Sequence, residues 1–193
     1  MIKTAIKLIK RRYRKIKLLL APHPIFTVLD KIKLSRIKRD TKGKGFISIK
    51  PKGWNHSIKI RKNYIDKEVV NYVLGDQYHM PPNTYEMPDS PVILDLGSNI
   101  GLTIAHMKHI YPSAKIIGYE MNKDNFKLAK TNTKMLNNVV VHNEAVWISD
   151  SIVSYDSDSG NDAYSIMNNN SQANIKKNHQ GKINLYIKYL QVQ

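Results

Sequence analysis

Val92-Ile-Leu-Asp-Leu-Gly-Ser-Asn-Ile-Gly101 reads as an apolar strand running into a glycine turn that opens a helix. Val92, Ile93 and Leu94 follow Pro91, and Leu96 lies beyond Asp95, which suits a buried parallel strand. Gly97 and Gly101 leave bare backbone for a ligand, while Ile100, Ile104, Met107 and Ile110 recur at helical spacing. A strand, a tight turn and a helix N-terminus together make a nucleotide-type pocket.

The variant of the turn narrows the ligand. A dinucleotide fingerprint reads G-x-G-x-x-G, with pyrophosphate pressed against the turn. Here Asp95 stands in the first glycine's place and the last glycine comes one residue later, giving D-x-G-x-x-x-G. A carboxylate there repels a diphosphate and welcomes an ammonium group. S-adenosylmethionine offers an ammonium, a sulfonium and a ribose, and no phosphate. It fits better than NAD, although an NAD-linked enzyme stays open as an alternative. An aspartate that merely caps its own turn is the competing reading of Asp95, which Gly97, Gly101 and Glu120 together disfavour.

The next apolar run, Lys115-Ile116-Ile117-Gly118-Tyr119, ends in Glu120, 25 positions after Asp95. Acids that bind ribose hydroxyls sit at the tip of the second strand, about 20 residues past such a turn. Glu120 offers one carboxylate oxygen to each hydroxyl of a vicinal diol. A third run, Val139-Val140-Val141, leads to His142-Asn143-Glu144, where an adenine edge is expected. The candidate cofactor set is Asp95, Gly97, Ser98, Asn99, Gly101, Glu120, Met121 and Glu144.

With those residues in place, the chain resembles the FkbM-type S-adenosylmethionine-dependent methyltransferases over roughly Ile58 to Asp158. Ile60-Arg61, Asp66 and Tyr78 look like that family's R…D…Y lead-in. LDLGSNIG, YPSAKIIGYEMNKDNF and NEAVW follow in the family's order and spacing. The resemblance implies a Rossmann-like class I methyltransferase fold, α/β with a doubly wound, mostly parallel sheet. It also implies S-adenosylmethionine as cofactor and a hydroxyl on a glycan, lipid-linked sugar or natural product as methyl acceptor.

Family members continue into a strand reading like K-x-D-x-E-G, whereas this chain ends at Tyr189-Leu190-Gln191-Val192-Gln193. The expectation is therefore a fold incomplete at its C-terminus, a truncated enzyme or a fragment. Such a sheet would expose the apolar edge of its first strand. A non-catalytic cofactor-binding or interaction module is the alternative. Methyl transfer depends on holding the acceptor against the sulfonium methyl, and the half that would do so is not visible, so no catalytic residue is named. Asp150, Asp156 and Asp158 are acidic candidates that read as a solvated loop. Ser149 to Asn178 reads as loop or weak hairpin, and Ile183 to Leu190 as one further strand.

Charge is concentrated at one end. The chain carries +16, but residues 1–62 hold 20 Lys or Arg against 2 acids, and residues 63–193 hold 11 against 13. Ile2, Ile6, Ile9, Tyr13, Ile16 and Leu20 recur every three to four residues, with Lys3, Lys7, Lys10, Arg11, Arg14 and Lys17 between them. A basic amphipathic helix of this kind reads as a membrane-surface element. Packing on its own domain or on a twin subunit is the competing reading. Sparse aromatics in the basic stretch disfavour nucleic acid.

Leu18-Leu19-Leu20-Ala21 is cut short by Pro22 and Pro24, so it is not a secretory signal. No stretch reaches the roughly 18 apolar residues that would span a bilayer. The absence of cysteine excludes disulfides and thiolate metal sites and fits a cytoplasmic protein, peripheral at most to a membrane. His106 and His109 lie three apart on one helix but read as exposed side chains, not metal ligands, and no metal is expected.

The organisation expected is a basic extension over 1–44 and a methyltransferase domain over 45–193. Within the domain come a β lead-in at 45–90, the cofactor-binding half at 91–148 and a polar tail at 149–193. Gly45 to Lys50 and Ser57 to Arg61 alternate as half-buried strands around a Pro51-Lys52-Gly53 turn. Asp66 to Tyr78 reads as a short helix.

Overall fold

The computed structural model describes residues 2–38 and 45–146, together with strand backbone at 152–155, 166–167 and 183–184. It divides into two compact units, Met1–Lys67 and Glu68–Gln193. The first unit takes in the basic extension and the hairpin part of the β lead-in, and residues 68–90 fall in the second.

In the first unit, α1 (Ile2–Leu20) is uninterrupted by Gly or Pro and stops ahead of Pro22. Its terminal carbonyls are met by Lys31, whose Nζ donates to Leu18 O at 3.2 Å and to Ala21 O. The sequence reading passed over α2 (Val28–Ser35). A reciprocal cap starts it, with the Asp30 amide donating to Thr27 Oγ1 at 3.1 Å and the Thr27 amide to Asp30 Oδ2 at 3.2 Å. Asp30 Oδ1 also accepts from the Lys50 amide at 2.9 Å, tying the helix to the hairpin.

The expected hairpin forms as β1 (Phe46–Ile49) and β2 (Ile58–Arg61), antiparallel, with Ile47 opposite Ile60 and Ile49 opposite Ile58. Ile49, Ile58 and Ile60 are buried and Lys59 is exposed, as strict alternation requires. Asp66, on α3 (Tyr64–Val70), is 1% exposed. It accepts from the Arg61 amide at 2.8 Å and pairs with the Arg61 guanidinium at 2.8 Å. The R…D of the lead-in is thus a staple between strand and helix.

In the second unit the helix does not run on regularly to Tyr78. After Val70 the backbone widens into a π-helical turn, Asn71–Gly75, closed by the Asp76 amide on Asn71 O at 2.8 Å. Val73 and Leu74 are buried while Tyr72 stays exposed. Wide turns of this kind are frequent at functional sites.

The three apolar runs form a parallel sheet in the order β3 (Val92–Leu96), β4 (Lys115–Tyr119), β5 (Val139–His142). The crossover helices are α4 (Leu102–Ile110) and α5 (Lys123–Thr133). Right-handed crossovers between strands added in one direction leave both helices on one face. That face holds the core of Ile104, Met107, Ala114, Ile116, Ala129 and Val141.

The described residues therefore show a mixed α/β unit with one helical layer, compatible with a Rossmann-like fold. The first strand is not buried on both faces as expected. Val92, Leu94 and Leu96 alternate outward and are 42–69% exposed, because nothing among the described residues covers that side of the sheet.

His106 is also not an exposed residue. It is buried, and its Nδ1 lies 2.9 Å from His79 Nε2. The polar tail contributes a separate antiparallel set, with β6 (Ile152–Tyr155) between β7 (Ile166–Met167) and β8 (Ile183–Asn184). The weak hairpin is thus present in part, and the late strand pairs with β6 rather than with the parallel sheet. Asp150, Asp156, Asp158 and residues 185–190 lie outside the described residues.

Candidate functional site

The ends of β3 and β4 carry the predicted residues. After Leu96 the chain turns back on itself, and the amides of Gly97 and Ser98 both donate to Tyr119 O, at 2.9 and 2.8 Å. Gly97 has φ +91°, which an L side chain rarely adopts, and the space where its Cβ would stand is open. Asn99 is also left-handed, at φ +48°, a conformation asparagine tolerates better than most residues.

The turn ends at Gly101, φ +79°, where α4 begins without a side-chain cap. Contrary to the sequence expectation, the bare side of Gly101 clears no room for a ligand. A Cβ there would sit 3.1 Å from Ala129 Cα and 3.2 Å from Thr133 Cγ2, so this glycine lets α5 pack against the turn. Gly118 plays a related part from β4. A Cβ on it would overlap Ser98 Oγ and Ile104 Cδ1, so the turn lies flat on the strand only because residue 118 has no side chain.

Glu120 ties the two strand ends together. Its Oε2 accepts from the Asn99 amide at 2.8 Å and its Oε1 from the Asn122 amide at 2.7 Å, with the residue only 4% exposed. Burial pushes its carboxyl above the ordinary carboxylate value. The Asn122 and Asn99 amides oppose that rise, and the nearby Asp95 charge adds to it. Asp95 is raised too, by burial, with the Ser98 hydroxyl opposing. Its Oδ2 is buried and accepts no hydrogen bond in the structure. A buried carboxylate oxygen without a donor is uncommon and calls for an explanation.

Asn143, which sequence reasoning missed, donates from Nδ2 to Glu120 O at 2.8 Å and to Met121 O at 3.1 Å, locking the end of β5 to the end of β4. Glu144 follows it, with Oε1 3.9 Å from His142 Nδ1. Asp95, Gly97, Ser98, Asn99, Glu120 and Met121 are thus gathered around the paired strand ends. Gly101 serves the helix packing behind them, and Glu144 stands at the end of the third strand.

A cavity of about 390 Å³ opens directly on the turn. Gly97, Ser98 and Asn99 form one side, Leu102 and Thr103 of the first α4 turn another. Val69, Tyr72, Val73 and Tyr78 supply an apolar, aromatic wall. Its volume lies within the range of small-molecule sites. Tyr78 belonged to the lead-in resemblance, but only the π-helical turn explains why Tyr72 and Val73 join it.

Comparison with known proteins gives partial likenesses. Over 62 residues, 32% of the chain, the sequence is 39% identical to the methyltransferase sdnD of Sordaria araneosa, and the match spans only about a fifth (21%) of that protein. A solved methyltransferase FkbM from Methylobacillus flagellatus KT overlaps 46% of the chain and 29% of its own, with TM-score 0.32 and 18% identity. Coclaurine N-methyltransferase, solved with N-methylheliamine and SAH, overlaps 72% of the chain and 43% of its own, with TM-score 0.29 and 16% identity. No protein-family model matches the chain.

Proposed function

We propose that this chain is an S-adenosylmethionine-dependent methyltransferase of FkbM type, acting on a hydroxyl of a sugar or natural product. The observation that carries the reading is the buried, donorless Oδ2 of Asp95 beside an open glycine turn. The buried carboxylate of Glu120 lies close enough for its ionisation to feel that of Asp95. Two carboxyl groups at one turn oppose a pyrophosphate and suit an aminoacyl nucleoside that brings its own cation and its own hydroxyl donors.

When bound, S-adenosylmethionine supplies an electrophilic methyl group on its sulfonium. The chain's part is to bind and orient. Asp95 would hold the ammonium group, and the uncapped amides of the first α4 turn would face the amino-acid carboxylate. Glu120 has about four acceptor sites and spends two on backbone amides and one on the Asn125 side chain, which leaves little more than one for the ribose hydroxyls. Glu144 would meet the adenine edge. Val69, Val73, Tyr72 and Tyr78 line the cavity, and the two tyrosine rings would favour a sulfonium placed against them.

A thermal-shift panel tests the reading. S-adenosylhomocysteine and adenosine are expected to raise the melting temperature in a dose-dependent way, and NADH to leave it unchanged. Stabilisation by NADH alone would overturn the assignment.

A further inference from the structure

Every described side chain of α1 except Leu19 is exposed. Ile6, Ile9, Tyr13, Ile16 and Leu20 fall on one narrow stripe of the helix and are each 47–66% exposed, although all five are large and apolar. Leu8 and Leu18, also exposed, lie off the stripe, and most of the remaining circumference is basic. Lys7, Lys10, Arg11, Arg12, Arg14, Lys15 and Lys17 are distributed around it, and the sequence holds no acidic residue between Ile2 and Leu20. Lys7, Lys10, Arg11 and Arg14 border a shallow basic hollow with Ile6 at its rim. The C-terminal end of the helix is anchored by Lys31 on the carbonyls of Leu18 and Ala21, so the stripe is displayed from a fixed root.

From this geometry we infer that α1 docks in the plane of an anionic lipid bilayer. The apolar stripe enters the boundary between headgroups and acyl chains, and the flanking Lys and Arg side chains reach the lipid phosphates. Charge complementarity selects the partner. A stripe without acids and with seven described cations around it suits a surface of fixed negative charge, while its apolar row needs a non-aqueous phase that a nucleic acid does not offer. Each long cationic side chain can lay its methylene stem along the apolar stripe and keep its charge at the phosphate level. No described helix is long and apolar enough to cross a membrane, so this contact is with the surface. The inference does not depend on the cofactor assignment.

The test is co-sedimentation of the full 193-residue chain with vesicles of phosphatidylcholine alone and of phosphatidylcholine with phosphatidylglycerol. The parent chain should pellet with the anionic vesicles and stay in the supernatant with the neutral ones. Two variants separate the forces. Ile9→Glu with Ile16→Glu removes the stripe, and Lys10→Gln with Arg14→Gln and Lys17→Gln removes charge on its flanks. Each should lower partitioning by about tenfold or more. Both sets are on exposed positions, and unchanged circular dichroism and melting temperature would show that the fold persists.

Three results overturn the proposal. One is a parent chain indifferent to anionic vesicles. Another is an Ile9/Ile16 variant that pellets as well as the parent, which would make the contact purely electrostatic, of the kind any polyanion provides. The third is a parent dimer in gel filtration that Ile9→Glu and Ile16→Glu dissociate, which would assign the stripe to a twin subunit.

Discussion

At the residue scale, Glu120 is buried and Asp95 is half-buried with its Oδ2 enclosed, and burial raises both carboxyl groups above their ordinary values. An acid whose folded-state value is raised binds its proton more readily in the native state, so it subtracts stability as pH rises through that range. Glu120 offsets part of this through two backbone amides; the Oδ2 of Asp95 has no such donor. Asp95→Asn is therefore expected to stabilise the ligand-free chain at neutral pH by about 1 kcal/mol, read as a higher urea midpoint, while weakening the cofactor. His106 titrates in the opposite sense. Burial first, then the neighbouring His79 and His109, lowers it from 6.5 to about 4. The unfolded chain takes up this proton before the native one does. Stability is thus complete above 6.5 and is lost as pH falls toward 4, and the urea midpoint should drop across that interval. In His106→Gln the drop should shrink. An unchanged profile would show that the His79–His106 contact does not govern acid sensitivity.

At the scale of elements, the parallel strands, their glycine turn and the lead-in hairpin were legible because each rests on local periodicity and on residues with special backbone freedom. Gly118 was not legible as anything but a strand residue. Its importance comes from Ser98 and Ile104 pressing on it from the turn and from α4, a relation no local pattern records. Gly118→Ala should cost about 2 kcal/mol, as overpacking does. Gly97→Ala, with open space above it but a left-handed backbone, should cost about 1 kcal/mol. Chemical denaturation of the two variants gives the order, and the reverse order would refute the packing account. The π-helical turn at Asn71–Gly75 was hidden for a similar reason, since the apolar spacing of Val69, Val70 and Val73 fits an ordinary helix equally well. The start of α2 was overlooked because Asp30 supplies the capping carboxylate where Glu or Gln is the usual signal. His106 was read as exposed because its partner, His79, lies 27 residues earlier on a different segment.

At the scale of the whole molecule, charge and chemistry are divided along the chain. Residues 1–62 hold 20 of the 31 Lys and Arg, and the candidate cofactor residues run from Asp95 onward. That division was plain in composition, and so was the parallel order of the three strands. Double winding was not established, because helices among the described residues cover one face of the sheet and Val92, Leu94, Leu96 and Val140 remain exposed on the other. The candidate site was legible as far as Asp95, the turn and Glu120. Asn143 and the tyrosine wall emerged only once the strand ends and the π-helical turn were placed in space. The central claim is that the Asp95 carboxylate at this turn receives the ammonium of an aminoacyl nucleoside. Its most direct test is calorimetric titration of S-adenosylhomocysteine into the parent chain and into Asp95→Asn. The account predicts saturable binding at one site by the parent, weakened about tenfold or more in the variant, the effect of losing one charge-assisted hydrogen bond. Equal affinity in the two proteins, or no binding by a folded parent chain, would contradict it.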